Sequence, residues 1–397
     1  MAQATNNDKV VNLSGNIVGR SSFSIQKLTD TAGPPLLTTW QPNRTELFHV
    51  GTNLGLYHKW RNGNWATSFQ PGTTKWEKIG EHEELTICGV SWGPGRVDIF
   101  GVGAQGNTVD HKRYHDGKWF DWETLTPSTL DSDPPRVVGE LSVITWGVNI
   151  LVVFWRGADN ALHYMAWNED EHKYFQLRWT KPTDYTFIGS PRAICWPYLV
   201  SHKVDVFARE ANGHVMHAGW DVQDAGPLGA ATDHFLPWQD LGPAAEDPEV
   251  VQWVTNENGT LEYHINLFSR DASNNLIRKT WSSLDNLWMP PGYWEQMGLQ
   301  ASTPPGAVAW HADTKSNVTV VALGMDNQLH VGKQDGSQGW DPSGWKTVDV
   351  GDGVPFTHRP VLHPHGGPYT DDDPLEVFVR GSDTSMKQLF VHWSDLQ

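Results

Sequence analysis

The chain has 397 residues, with 29 Lys and Arg against 46 Asp and Glu, for a formal net charge of −17. That balance argues against nucleic acid and anionic membranes as main partners, because phosphate binding draws on clustered Lys and Arg. The 11% aromatic content excludes a disordered chain, and a cysteine count of two (Cys88 and Cys195) excludes a disulfide scaffold or a cysteine-based zinc site.

The first residues, MAQATNNDKVVNLSGN, contain no apolar run, so no secretory leader is expected. The longest apolar stretch, residues 142–155, is interrupted by Asn149 and too short to span a bilayer. The expectation is a protein without membrane insertion, cytoplasmic or exported without a leader. Asn-x-Ser/Thr triplets at Asn12, Asn43, Asn258 and Asn317 read as chance occurrences.

A short alternating segment, Phe23-Ser24-Ile25-Gln26-Lys27-Leu28, precedes the first of seven similar units. The units open on TWQPNRTELFHV from Thr39, SWGPGRVDIFGV from Ser91, TWGVNILVVFW from Thr145 and CWPYLVSHKVDVF from Cys195. They continue with QWVTNENGTLEYHINLF from Gln252, AWHADTKSNVTVVAL from Ala309, and LHPHGGPYTDDDPLEVFV from Leu362. The first strand of each carries Trp40, Trp92, Trp146, Trp196, Trp253 or Trp310, with His363 in the seventh. The second carries Phe48, Phe100, Phe154, Phe207, Phe268, Val321 or Phe378. Six steps over 330 residues give 55 per repeat, so seven repeats use 385 of the 397 residues.

Within a unit, alternating strands such as Val97-Asp98-Ile99-Phe100 are followed by a Gly/Asn/Asp turn, as at Gly157-Ala158-Asp159-Asn160. A third strand such as Leu56-Tyr57-His58-Lys59-Trp60 comes next. The fourth opens on Trp76-Glu77, Trp122-Glu123, Trp238-Gln239 or Trp294-Glu295. Four strands in each of seven units predict an all-β, seven-bladed β-propeller of antiparallel blades. It is read as a single domain over 1–397, with repeats starting near 36, 88, 142, 192, 249, 306 and 359. The seventh unit lacks a fourth strand, and residues 20–30 are expected to supply it and close the ring.

A site built from repeated residues would recur around such a ring. The third-strand series pairs His58 with Trp60, His111 with Tyr114, Tyr164 with Trp167, His217 with Trp220 and Arg278 with Trp281, with Trp65, Trp119 and Trp288 close behind. Indole faces stack on the C–H face of a pyranose, while imidazole, Arg and indole N–H serve its hydroxyls. Much of the tryptophan is still expected to pack between blades, and the first-strand Trp92, Trp146 and Trp196 are candidates for both roles.

The run S-W-G-P-G-R-V-D-I-F, then a turn, L-Y-H-K-W and G-x-W, resembles the blades of the bacterial seven-bladed lectin family found in Photorhabdus. Fungal propeller lectins share the general plan. The resemblance covers essentially the whole chain and is sharpest over 40–65 and 91–122. It implies a lectin, not an enzyme, that binds fucose or related, sometimes O-methylated, sugars between neighbouring blades without metal or cofactor. Its partners would be fucosylated or methylated glycans, and a homo-oligomer would fit the avidity of such lectins. Blades six and seven depart from the pattern at Val321, Lys333 and His363.

The rival class is a propeller glycosidase of the sialidase type, which needs converging carboxylates or arginines at one place. Asp98 and Asp205 share a repeat position, with Glu46 and Glu376 in related ones, so these acids are spread around the ring. A calcium loop at Asp371-Asp372-Asp373 lacks alternate ligand spacing, and zinc at His363 and His365 lacks further ligands. A WD-repeat scaffold fails because Trp220-Asp221 and Trp340-Asp341 do not recur in register. Cys88 and Cys195 are expected to be free thiols.

Overall fold

A computed structural model describes residues 9–391 except 12, 15–22, 42–43, 64–66, 73, 82–85, 104–107, 126–127, 130–135, 148–149, 169–172, 179–184, 197–202, 222–235, 258–259, 313–314, 336–338, 349–354 and 364–373. Its strands form seven separate sheets. Blade 1 is Leu36–Thr38, Arg44–Val50, Gly55–Asn62 and Glu77–Glu81, each antiparallel to the next. The first strands of blades 2 to 7 are Ile87–Gly93, Val137–Gly147, Arg192–Cys195, Glu249–Glu257, Gly306–Ala312 and Val361–His363. First strands of successive blades touch one another and so surround a central axis. This is a seven-bladed β-propeller.

The ring closes through the N-terminal segment. Phe23–Asp30 pairs antiparallel with Ser385–Val391, the third strand of blade 7, which therefore takes its outer strand from the other end of the chain. Lys9–Val11 adds a further strand to that edge, and Leu13–Ser14 pairs with Lys346–Val348 of blade 6. Covering an edge in this way removes a row of unpaired backbone groups.

The buried apolar residues fall into seven clusters, each shared by two neighbouring blades. One joins Phe48 and Leu56 of blade 1 to Val97 and Ile99 of blade 2, and another joins Phe154 and Tyr164 of blade 3 to Val206 and Trp220 of blade 4. A blade exposes two sheet faces, and period-two alternation sends one side-chain set to each neighbour. The hairpin turns between second and third strands need positive φ, which Asn160, Asn274 and Asn327 supply at φ 59°, 64° and 61°.

Tryptophans at the fourth strands of blades 1, 2, 4 and 5 (Trp76, Trp122, Trp238 and Trp294) staple each of those blades to the one before it. Trp122 packs in the cluster between blades 1 and 2, Trp238 between 3 and 4, and Trp294 between 4 and 5. Under three of them lies a buried lysine on the neighbouring strand of the same blade. Lys59 Nζ sits 4.4 Å from the Trp76 ring centre, with Lys112 and Lys279 set likewise against Trp122 and Trp294. Burial pushes the Lys59 pKa down to about 8. Cys88 and Cys195 are free thiols.

Candidate functional site

Three blades build the same polar motif. In blade 1, second-strand Glu46 lies opposite Trp60, and Phe48 lies opposite third-strand His58. Glu46 Oε1 accepts from Trp40 Nε1 and from Arg44 Nε, both at 2.5 Å, and Oε2 lies 2.6 Å from His58 Nε2. The other imidazole nitrogen, Nδ1, is 3.2 Å from Glu77 Oε2 on the fourth strand. Burial alone would lower the His58 pKa, but the hydrogen bonds to Glu46 and Glu77 outweigh it and hold the ring above its usual value. The imidazole therefore bridges two carboxylates, one buried and one facing solvent, and both favour its protonated form.

Blade 2 repeats this with Asp98, which accepts from Trp92 Nε1 at 2.6 Å and from Arg96 Nε and Nη2 at 2.7 and 2.8 Å. His111 stands 2.8 Å from Asp98 and 3.0 Å from Glu123. Burial works to raise the Asp98 pKa, yet hydrogen bonds from His111 and Arg96 prevail and keep it low. In blade 4, Asp205 accepts from Trp196 Nε1 at 2.9 Å and lies 2.8 Å from His217 Nε2. Blade 3 has Val152 at the acidic position, and its Tyr164 is almost wholly buried against Trp220.

The polar motif of blade 1 opens onto a pocket of about 250 Å³ between blades 1 and 2. Arg44, Glu46, His58, Trp60 and Glu77 line one side, and Val97, Tyr114, Lys118 and Trp119 line the other. Trp119 meets His58 edge-on at 5.4 Å, and His58 stacks on Trp60 at 5.3 Å. Between blades 4 and 5 the same wall recurs, with Trp288 edge-on to His217 at 5.2 Å and Trp281 in the same cluster.

The residue pairs expected from sequence need correcting here. His58 and Trp60 are two apart and share a face of their strand. Tyr114, Trp167, Trp220 and Trp281 follow their partners by three and point to the opposite face. Tyr114 thus lines the pocket of His58 rather than that of His111, and Trp220 packs on Tyr164 rather than beside His217. Trp167 joins the cluster between blades 2 and 3. Tyr164, Trp196 and Trp220 are core residues, at 1%, 4% and 5% exposure, so none is an open wall. Arg278 is bound to Glu295 at 2.7 Å and to Gln334 of blade 6 at 2.7 Å, which fills that interface from within. Trp65, His365 and Asp371–Asp373 lie outside the described residues, as does the Trp146 side chain.

Sequence reasoning left Arg44, Glu46, Glu77, Arg96, Asp98, Glu123 and Asp205 out of the site. The signal was present as a six-residue spacing, Trp40 to Glu46 and Trp92 to Asp98, that places indole and carboxylate on one hairpin.

No family model matches the chain, and no curated protein does. Among solved structures it is similar to the BP39L lectin from Burkholderia pseudomallei, with a TM-score of 0.64 at 15% identity over 93% of this chain and 97% of that one. The fungal six-bladed propeller lectin of Aleuria aurantia gives a TM-score of 0.45 at 12% identity, covering 93% and 98% of the two chains. AofleA from Arthrobotrys oligospora gives 0.49 at 12% identity, covering 83% and 90%. The likeness to BP39L bears on the fold; the two fungal scores are too low to carry an argument.

Proposed function

We propose that the chain is a non-enzymatic lectin that takes fucose or a related monosaccharide, O-methylated forms included, at pockets between blades. The observation that carries this reading is the pocket between blades 1 and 2. Its aromatic walls, Trp60, Tyr114 and Trp119, stand around a fixed polar floor of Arg44, Glu46, His58 and Glu77. Its volume of about 250 Å³ falls below the roughly 300–1,000 Å³ of drug-sized ligand sites, which suits a single sugar ring. Aromatic surface serves the apolar face and methyl of a deoxysugar, while the charged floor serves its hydroxyls. The fold is also that of a protein named a lectin, BP39L.

The motifs of His111 and His217 are the further sites, so binding is multivalent and each site weak. A glycosidase needs a carboxylic acid whose pKa is raised, so that it can protonate the leaving group. Asp98 and Glu123 are held low instead, Asp98 against its burial by His111 and Arg96, and Glu123 by its hydrogen bond from His111. That favours binding over hydrolysis. Titration calorimetry with methyl fucoside tests the reading: more than one site per chain, unaffected by chelator, is expected. A glycan array that is blank for every fucosylated and methylated sugar would sink it.

A further inference from the structure

The three carboxylate–histidine motifs differ at two register positions, and the differences set the pocket between blades 1 and 2 apart. On the fourth strand, Glu77 lies beside His58, Glu123 beside His111 and Gln239 beside His217. Two residues beyond each histidine stand Trp60, Arg113 and Gly219. In blade 2, Arg113 Nη1 donates to Glu123 Oε1 at 2.5 Å, so that carboxylate keeps a permanent cation whatever the state of His111. In blade 4 the fourth-strand group is a neutral amide. In blade 1 the uncharged Trp60 takes the place of the arginine, and the cation that Glu77 meets among the described residues is His58.

The position of His58 calls for both imidazole protons. Nε2 lies 2.6 Å from Glu46 Oε2 and Nδ1 lies 3.2 Å from Glu77 Oε2, and an ionised carboxylate accepts without donating. A neutral imidazole has one N–H and satisfies one of the two. Glu46 is 2% exposed and is also held by Trp40 and Arg44, whereas Glu77 is 45% exposed and is held by His58. Loss of a proton therefore falls on Glu77.

The other charged groups around the ring do not make good that loss. Arg44 is committed to Glu46, and across the pocket Lys118 holds its Nζ 4.8 Å from the Phe120 ring centre. Lys59 and Arg61 lie at odd offsets from His58 and point to the other face of the strand. Tyr114 and Trp119 complete the far wall. A sugar ring in this pocket covers Glu77, which lines it. Taking water from a carboxylate that has lost its cation costs far more than taking it from one that keeps it.

We propose that the pocket between blades 1 and 2 is a pH-gated sugar site, which holds its ligand while both His58 nitrogens are protonated and loses it when one proton leaves; this rests on the lectin reading above. The motifs of blades 2 and 4 are not gated, because Arg113 holds Glu123 and Gln239 needs no cation. By linkage, a sugar entering the gated pocket draws a proton onto His58.

The test is calorimetric titration of the full chain with methyl fucoside at about pH 5.5 and about pH 9, on either side of the histidine range. One class of site should weaken about tenfold or more at the higher pH, the factor that one unit of His58 pKa change on binding represents. The remaining sites should keep their affinity, and proton uptake should appear as a heat that varies with the ionisation enthalpy of the buffer. Glu77→Gln should bring the ratio of the two affinities close to one, whatever its absolute affinity, and Glu77→Ala serves should that variant not fold. Equal affinity at both pH values, an equal fall at every site, or an unchanged ratio in the folded variants overturns the gating and leaves the lectin reading standing. Binding at neither pH overturns both.

Discussion

The interface between blades 1 and 2 and the interface between blades 7 and 1 use the same repeat positions to opposite ends. At the first, Glu46 and His58 face Tyr114 and Trp119 across an open pocket. At the second, Glu376 replaces Glu46 and Gln388 replaces His58, while Arg61 stands where blades 2 to 5 present Tyr114, Trp167, Trp220 and Trp281. Its guanidinium crosses to Glu376 with two hydrogen bonds of 2.7 and 2.9 Å, and Gln388 adds a third at 2.6 Å. Arg61 and Glu376 are both essentially buried. One carboxylate is satisfied from within its own blade and leaves a cavity, whereas the other is satisfied from across the gap and leaves a clasp. At these two interfaces the gap is open or clasped according to the side chain that the neighbouring third strand presents, Tyr114 or Arg61.

The clasp should be the more sensitive of the two. Arg61→Ala strands a buried carboxylate and should cost about 3–5 kcal/mol in urea unfolding, whereas Arg61→Met with Glu376→Leu should be close to neutral. Equal losses in the single and double variants would mean that the pair contributes nothing specific. Trp60→Ala acts on the pocket instead. It should lower the fucoside stoichiometry by about one site with little change in melting temperature; complete loss of binding would indicate one shared site.

A smaller effect separates the interfaces by pH. Burial opposes protonation of His58, but Glu46 and Glu77 raise its pKa above 6.5. The stabilisation is therefore full below the unfolded value near 6.5 and declines as pH rises through the folded value. His58→Gln should flatten that alkaline decline, since the glutamine that the clasp carries at the same position, Gln388, does not titrate. Smallest in stability terms is the thiol test. Burial pushes Cys195 up to about 12, so alkylation should require unfolding. Rapid native labelling of that residue would contradict the packing between blades 3 and 4.

The ring and its closure were legible because each unit repeats a tryptophan, a phenylalanine and a turn in order, and because the last unit lacks a strand that the first residues can supply. The site was legible only in part. His58 and Trp60 lie two residues apart, so an alternating strand puts them together. His111 and Tyr114 lie three apart, and the same alternation divides them between neighbouring pockets. The acidic residues were overlooked as binding elements because repetition around the ring was weighed only against a single catalytic centre. Arg61, which looks like an ordinary strand cation in sequence, acquires its role only when blade 7 comes to lie beside blade 1.

Closure by Phe23–Asp30 also has a consequence for synthesis. The segment leaves the ribosome long before its partner Ser385–Val391. Until then the strand has only Lys9–Val11 on one side, its other edge is an unpaired template, and Arg61 lacks its mate Glu376. Commitment to the finished ring is therefore delayed until the third strand of the seventh blade has been made.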